Sequence, residues 1–406
     1  MREAARRALL AAIALVAGAG AYWSARLAYA ESLYQQGTAA SVNSAATLAP
    51  GNADYERRRA ELAEAKGLNP AGAQAALEAA LRDNPGDSET RIALALRAEM
   101  RGDAAAAERE LLEAARRDRG YDPRWSLANF YFRRQDRENF WKWARAACEM
   151  ASAPEPLFGL LWHYSDNGRE ILSRAISSDP EIMRRYLWFL VSGPHWEAAG
   201  SVANRILLRP GTEDAPALLS YCDRLLGAGR GPEAAEVWNA LARRKLIALA
   251  AVDPGRGPLD GAFRTAPTNS GFDWRIAEAD GIAVTQDRPG LFLAFSGEEP
   301  EAWEPLWQYV ALTPGARYRM TYEYATDGIA ENSGLRWRVV DLTAEPAVVA
   351  TSDDLAHDGW TDGSVTFTTP ETMRLARLDL SYRRAPGTSR IDGSVRLRRV
   401  SLERAE

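Results

Sequence analysis

Three patterns of apolar and polar positions follow one another along the chain. Ala8 to Ala25 (ALLAAIALVAGAGAYWSA) carries no charge and lies between Arg7 and Arg26. At ~1.5 Å per residue this is about the minimum that crosses a bilayer core as a helix. From residue 31 to about 250, apolar positions recur at helical spacing, interrupted by Pro and Gly. Beyond the Pro- and Gly-rich stretch AVDPGRGPLDG (251–261), helical spacing gives way to strict alternation. The pattern predicts five segments: 1–7 cytoplasmic, 8–25 a single transmembrane anchor, 31–250 an all-α region, 251–258 a linker, and 259–406 an all-β domain.

Arg2, Arg6 and Arg7 ahead of the apolar run place the N-terminus in the cytoplasm by the positive-inside rule, and Tyr22 and Trp23 fall where an aromatic belt would lie. The rival is a cleaved signal peptide ending at Ala28-Tyr29-Ala30. Arg26 stands between the apolar run and that site, which favours an uncleaved anchor. Either reading exports the rest of the chain. The expected location is a bacterial inner membrane, spanned once, with the bulk in the periplasm.

The helical region repeats itself at a period of about 34 residues. One frame places Leu94, Ala95, Gly102, Ala107, Leu111 and Ala114 in its slots. The next places Leu127, Ala128, Tyr131, Phe140, Ala144 and Ala147; the one before, Ala73, Leu77, Ala80 and Pro85. By likeness to tetratricopeptide repeats, small residues at these slots would let two antiparallel helices approach closely, with Gly102-Asp103 and Gln135-Asp136 as the turns between them; the frame returns with Gly229, Ala234, Trp238 and Leu241. Pro154, Pro156, Pro180 and Pro194 make the intervening helices short or irregular. The pattern resembles the tetratricopeptide repeat family. That resemblance implies a solenoid of helical hairpins whose concave surface binds a protein partner.

In the last segment, Tyr318, Met320, Tyr322 and Tyr324 alternate with polar residues, as do Leu335, Trp337 and Val339, Val365 and Phe367, and Leu378, Leu380 and Tyr382. Each run predicts a half-buried strand. Val395 and Leu397 set one parity and Val400 and Leu402 the other, which predicts a β-bulge in the last strand. Such strands over ~145 residues make a two-sheet sandwich. The opening Leu259-Asp260-Gly261-Ala262-Phe263, the segment Gln308 to Tyr318, and the closing Ile391-Asp392-Gly393 resemble jelly-roll carbohydrate-binding and galactose-binding-like modules. Asp260 replaces the family's usual Asn and Gly393 its second acid, so no metal ligands are expected. The resemblance implies that a saccharide could dock on exposed rings.

Composition narrows the function. The 50 Lys+Arg against 55 Asp+Glu leave a charge of -5, which argues against nucleic acid as a partner. Two cysteines and three scattered histidines offer neither a disulfide framework nor a zinc site. There is no GxSxG, Walker or GxGxxG motif. The carboxylate pairs Glu298-Glu299 and Asp353-Asp354 read as surface loops. No enzyme and no cofactor are expected.

Phe132, Arg133, Arg134 and Trp141 fit the repeat's core slots least well and are the candidate protein-contact patch. Trp303, placed in an apparent insertion 299–307 among charges and prolines, Trp307 and Trp360 are candidate sugar platforms, with core packing as their alternative. Arg336 and Arg338, with Arg319, Arg377 and Arg396, would form a basic face for an acidic glycan if they share one side; a solvated face is the plainer alternative. The expectation is a non-catalytic, membrane-anchored scaffold of the cell envelope. It would hold a protein through its repeats and a polysaccharide through its sandwich, by analogy with exopolysaccharide machinery. The alternatives are an adaptor with a structural sandwich and, more remotely, a glycan-active enzyme.

Overall fold

The computed structural model describes residues 2–65, 70–287 and 290–405; Met1, the first residue of the segment read as cytoplasmic, lies outside them. The chain forms two compact units, Met1–Ile182 and Met183–Glu406.

In the first unit the helices are α1 (Arg2–Gln35), α2 (Ala39–Leu48), α3 (Ala53–Ala65), α4 (Pro70–Asp83), α5 (Ser88–Met100), α6 (Ala104–Arg117), α7 (Tyr121–Arg133), α8 (Arg137–Cys148), α9 (Glu155–Tyr164) and α10 (Gly168–Arg174). Over Leu10–Gln35, α1 is long and apolar enough to cross a membrane. From α3 onward the helices pair in sequence, α3 with α4, α5 with α6 and α7 with α8, and the first helices of successive pairs also meet, α5 against α7.

The turn inside each pair recurs because its chemistry recurs. Gly102 and Gln135 both take the left-handed conformation, at φ 82° and 57°. Each turn carries the same two bonds: Gly102 N to Glu99 O with Asp103 N to Ala98 O, and Gln135 N to Phe132 O with Asp136 N to Tyr131 O. These close the first helix with its orphan carbonyls satisfied. The aspartate that follows then caps the second helix, Asp103 accepting from Ala106 N and Asp136 from Asn139 N. The slots read as small or apolar are buried: Leu94, Ala95, Ala107, Leu111 and Ala114 in one pair, Leu127, Ala128, Tyr131, Phe140, Ala144 and Ala147 in the next.

Ionic contacts one repeat apart tie the pairs together. Arg133 grips Glu99 with two donors, 34 residues apart in sequence. Arg137 meets Glu170 and Arg174 meets Glu138 across the following pair. These are partly exposed pairs, worth a few tenths of a kcal/mol to about 1 kcal/mol each. They set register more than they add stability.

The division falls in the first turn of α11 (Pro180–Ser192), and the second unit goes on with a short 3₁₀ turn (Trp196–Ala198), α12 (Ala199–Leu207), a second 3₁₀ turn (Thr212–Asp214), α13 (Ala215–Gly227) and α14 (Gly231–Arg243). Gly229, at φ 72°, repeats the left-handed turn between α13 and α14. The strands follow: β1 (Arg256–Gly257), β2 (Arg275–Ile276), β3 (Ile282–Gln286), β4 (Leu291–Ser296), β5 (Ala302–Val310), β6 (Arg317–Asp327), β7 (Leu335–Asp341), β8 (Ala347–Thr351), β9 (Thr361–Thr368), β10 (Ala376–Arg383) and β11 (Asp392–Arg404).

Two antiparallel sheets face each other. One has the order β3-β4-β11-β6-β9 with β1 beside β11, the other β2-β5-β10-β7-β8. Their facing side chains make one core: Leu293, Phe295, Tyr318, Met320, Tyr322 and Val395 from the first sheet, Leu306, Trp337, Val339, Leu378, Leu380 and Tyr382 from the second. The alternation read from sequence therefore marks the inner face. The parity change in the last strand is a real bulge, with the register of β11 against β6 slipping between Leu397 and Arg399.

The last helical pair and the sandwich belong to the same compact unit, and specific contacts explain why. Trp238 of α14 lies edge-on to Phe272 at 6.0 Å. Asp223 of α13 accepts from Gly271 N at 2.6 Å and pairs with Arg275 of β2. A Cβ at Gly271 would stand 2.3 Å from the Trp238 ring, so only glycine permits this approach. At the start of α14, a Cβ on Gly231 would stand 2.8 Å from Arg374 O.

Candidate binding surfaces

One of the first helices of the pairs, α5, carries an exposed apolar pair. On α5, Leu96 and Met100 are one turn apart and 45% and 81% exposed. One repeat later, α7 carries Asn129 and Arg133 at the equivalent places, with Trp125 a turn earlier, half-buried and stacked on Tyr121 at 5.9 Å. Arg133 bonds Glu99 of α5, the residue before Met100.

The four residues expected to form the protein-contact patch do not make one exposed patch: the arginines face solvent while Phe132 and Trp141 share an aromatic cluster. Arg133 and Arg134 are exposed, and Arg134 packs its guanidinium over Phe130 at 5.5 Å. Phe132 is half-buried in an aromatic cluster with Phe140 (6.1 Å) and Tyr164 (5.8 Å). Trp141 is a correction: it is 2% exposed, edge-on to Tyr164 at 5.6 Å, with Arg174 over its ring at 5.7 Å. Tyr164 of α9 and Arg174 of α10, both beyond its own helix pair, pack on the Trp141 ring. Sequence reasoning missed Leu96 and Met100, because their slots are polar in the neighbouring frames and a lone exposed Leu or Met carries no pattern.

In the second unit, the outer face of the sheet β2-β5-β10-β7-β8 carries a row of paired residues: Arg275 beside Trp307, Trp307 beside Asp379, and Asp379 beside Arg338. Asp379 is fully buried, though it points away from the core, because Arg338 (2.9 Å) and Arg377 (2.9 Å) close over it. Arg338 also reaches Glu304 at 2.7 Å, and Arg336 pairs with Asp354 at 2.6 Å. Burial opposes the charge on Arg338, but the Asp379 and Glu304 carboxylates outweigh it and raise its pKa above the usual guanidinium value.

This corrects the basic-face expectation in two ways. Arg319 and Arg396 sit on the other sheet, in β6 and β11, so the five arginines share no side. Arg336, Arg338 and Arg377 are each opposed by a carboxylate, and the face is charged without being basic. Sequence alternation places Asp379 outward between Leu378 and Leu380, but only the register shows that two arginines bury it.

The three candidate tryptophans all have partners. Trp303 does not lie in a surface insertion: it is in β5, half-buried, and donates its indole N–H to Ala277 O at 3.0 Å. Glu299 nearby is fully buried, accepting from Gly297 N and Ile391 N, rather than a surface-loop acid. Trp307 carries the guanidiniums of Arg275 and Arg377 at 5.0 and 5.5 Å from its ring centre, and Tyr309 edge-on at 5.1 Å. Trp360 is 41% exposed, with Arg398 over its ring at 4.0 Å. Among the described residues no group of three or more His, Cys, Asp or Glu is placed to hold a metal ion.

No protein-family model matches the sequence, and no curated protein matches it. Solved structures are similar to parts of it. One, described as "CBM4 structure and function", is 12% identical, with a TM-score of 0.30, over 36% of this chain and 98% of the other. PilF of Pseudomonas aeruginosa is 17% identical, with a TM-score of 0.27, over 48% of this chain and 91% of its own. YrrB, described as a TPR protein with an unusual peptide-binding site, is 13% identical, with a TM-score of 0.26, over 50% of this chain and 92% of its own. At these identities and scores the likeness concerns the path of the chain and says nothing of ligands.

Proposed function

We propose that the chain is a non-catalytic scaffold, tethered by α1 to a bacterial inner membrane, that holds a protein partner on its helical pairs in the periplasm. The observation that carries this reading is the exposed apolar pair Leu96 and Met100 on α5. An exposed methionine and leucine one turn apart, with Arg133 bonded to the adjacent Glu99, match the enrichment of methionine and arginine in protein contacts. The test is comparative capture from native membranes by the full-length chain and by its Leu96→Asp/Met100→Asp variant. A partner held by the chain and lost by the folded variant supports the reading; identical capture by both sinks it.

For the sandwich, a saccharide-binding role stands beside a purely structural one, in an envelope or exopolysaccharide assembly. The engagement of Trp303, Trp307 and Trp360 by their own neighbours favours the structural role. Stacking on a sugar needs an open ring face; Trp307 is covered by two guanidiniums and Trp360 by one, and Trp303 is half-buried with its N–H engaged. Retention of glycans by the full-length chain and by its Trp303→Ala and Trp360→Ala variants separates the two. Retention lost in a variant restores the saccharide role.

A further inference from the structure

The helix that carries the apolar run does not end where the run ends. α1 continues without a break from Arg2 to Gln35. Its last turns pack against α2 and α3: Ala30 is fully buried in a cluster with Ala45, Ala46, Ala49 and Tyr55, and Leu33 and Tyr34 pack against it. Tyr55 donates to Glu31 at 2.9 Å and stacks on Tyr34 at 4.8 Å. The first helix of the first pair is thus the C-terminal third of α1 itself.

α2 runs back along α1. Its capping box at Thr38 and Ser41 starts it one turn after Gln35, and its last carbonyl, Leu48 O, accepts from Arg26 Nε at 2.6 Å. Arg26 also covers Trp23 at 4.9 Å. The turn between α2 and α3 therefore returns to the level of Trp23 and Leu27, where residues 49–54 line an open groove with them. Arg26 is the first charge after the apolar run. The level it marks is where a spanning helix leaves the hydrocarbon core, with tryptophan and arginine at headgroup depth.

We propose that α1 is retained as one helix that both spans the bilayer and completes the first helical pair, seating the α2–α3 turn among the lipid headgroups. This rests on the membrane-tether part of the reading above. It goes further in committing the unburied apolar face of Leu10 to Leu27 to lipid and in leaving no linker between span and repeats. A cut after Ala30 would fall inside a continuous helix, remove a fully buried core residue and delete the Arg26 cap on α2. The repeats would lose their first pair, not merely their tether.

The test uses the full-length chain in phosphatidylcholine vesicles. Its intact mass is read first, then a fluorophore is attached at Pro50→Cys, with Ala105→Cys on α6 as the control. Cys148 and Cys222 are buried and stay unlabelled. The expected result is a mass that includes the residues ahead of Glu31, with the Pro50 label quenched several-fold more than the control by headgroup-spin-labelled lipid. A mature chain that begins at Glu31, or a Pro50 label quenched no more than Ala105, overturns the proposal. A chain that passes both measurements yet captures no protein would fail as a scaffold and still bear out this placement of α1.

Discussion

Arg398 is the extra residue of the bulge in β11, and its guanidinium lies over the ring of Trp360 at 4.0 Å while donating to Glu323 at 2.7 Å. The bulge leaves Arg398 without a cross-strand partner in the ladder, so its side chain is free to cross to the start of β9. A partly exposed pair of this kind is worth roughly 0.5–1 kcal/mol. A double-mutant cycle of Trp360→Ala and Arg398→Ala, read by chemical denaturation, should show coupling of about that size. Additivity of the two losses would mean that the stacking contributes nothing.

Asp379 is the residue on which the outer face of the five-stranded sheet turns. It is fully buried, while its partners Arg338 and Arg377 keep 17% and 25% of their side-chain exposure. Removing one partner of a fully buried pair costs ~3–5 kcal/mol. Since these arginines can still reach water, Asp379→Ala should cost less, about 2–3 kcal/mol in a urea melt. Arg336→Ala, which removes the more exposed arginine from its pair with Asp354, should cost under about 1 kcal/mol. Equal losses from the two variants would contradict this ranking.

Gly102 and Gln135 fill the same left-handed position in successive turns. A side chain there costs roughly 1 kcal/mol relative to glycine. Gln135→Gly should therefore stabilise the protein by up to about 1 kcal/mol, and Gly102→Ala should destabilise it by a similar amount. Thermal melts of the two variants check the opposite signs; the same sign for both would show that the turns are not equivalent.

Cys148 and Cys222 are buried and unpaired. Burial pushes the Cys148 thiol up to about 11, and that of Cys222 is raised too, by burial first and the Asp223 charge second. The nucleophile is the thiolate, so both should resist maleimide at pH 7 to 8 in the native protein and react together on unfolding. Mass spectrometry before and after denaturant reads this directly. Labelling of either in the native state would show that its surroundings open.

The fold was legible wherever a period was sustained. Helical spacing with small residues at Ala95, Ala107 and Ala128 announced paired helices, and the parity change at Val400 announced a bulge that the register of β11 shows. What the sequence hid was pairing across the chain. Trp303 looked exposed because prolines and acids surround it, yet β5 carries it against Ala277. Trp141 looked out of place because the groups that pack on it, Tyr164 and Arg174, come from helices after its own pair. The arginines of the sandwich alternate alike in sequence, but strand order distributes them over two sheets, and only register brings Asp379 between two of them. Leu96 and Met100 were unreadable for the opposite reason: an exposed apolar residue leaves no periodic trace until its neighbours are known to leave it bare.

The most direct test of the scaffold account is photo-crosslinking in living cells. A photoreactive residue replaces Leu96 of the exposed pair on α5, or Arg109, which is exposed on α6, as the control. The account predicts a discrete adduct of one protein from position 96 and none from position 109. No adduct from position 96, or the same adducts from both, would contradict it.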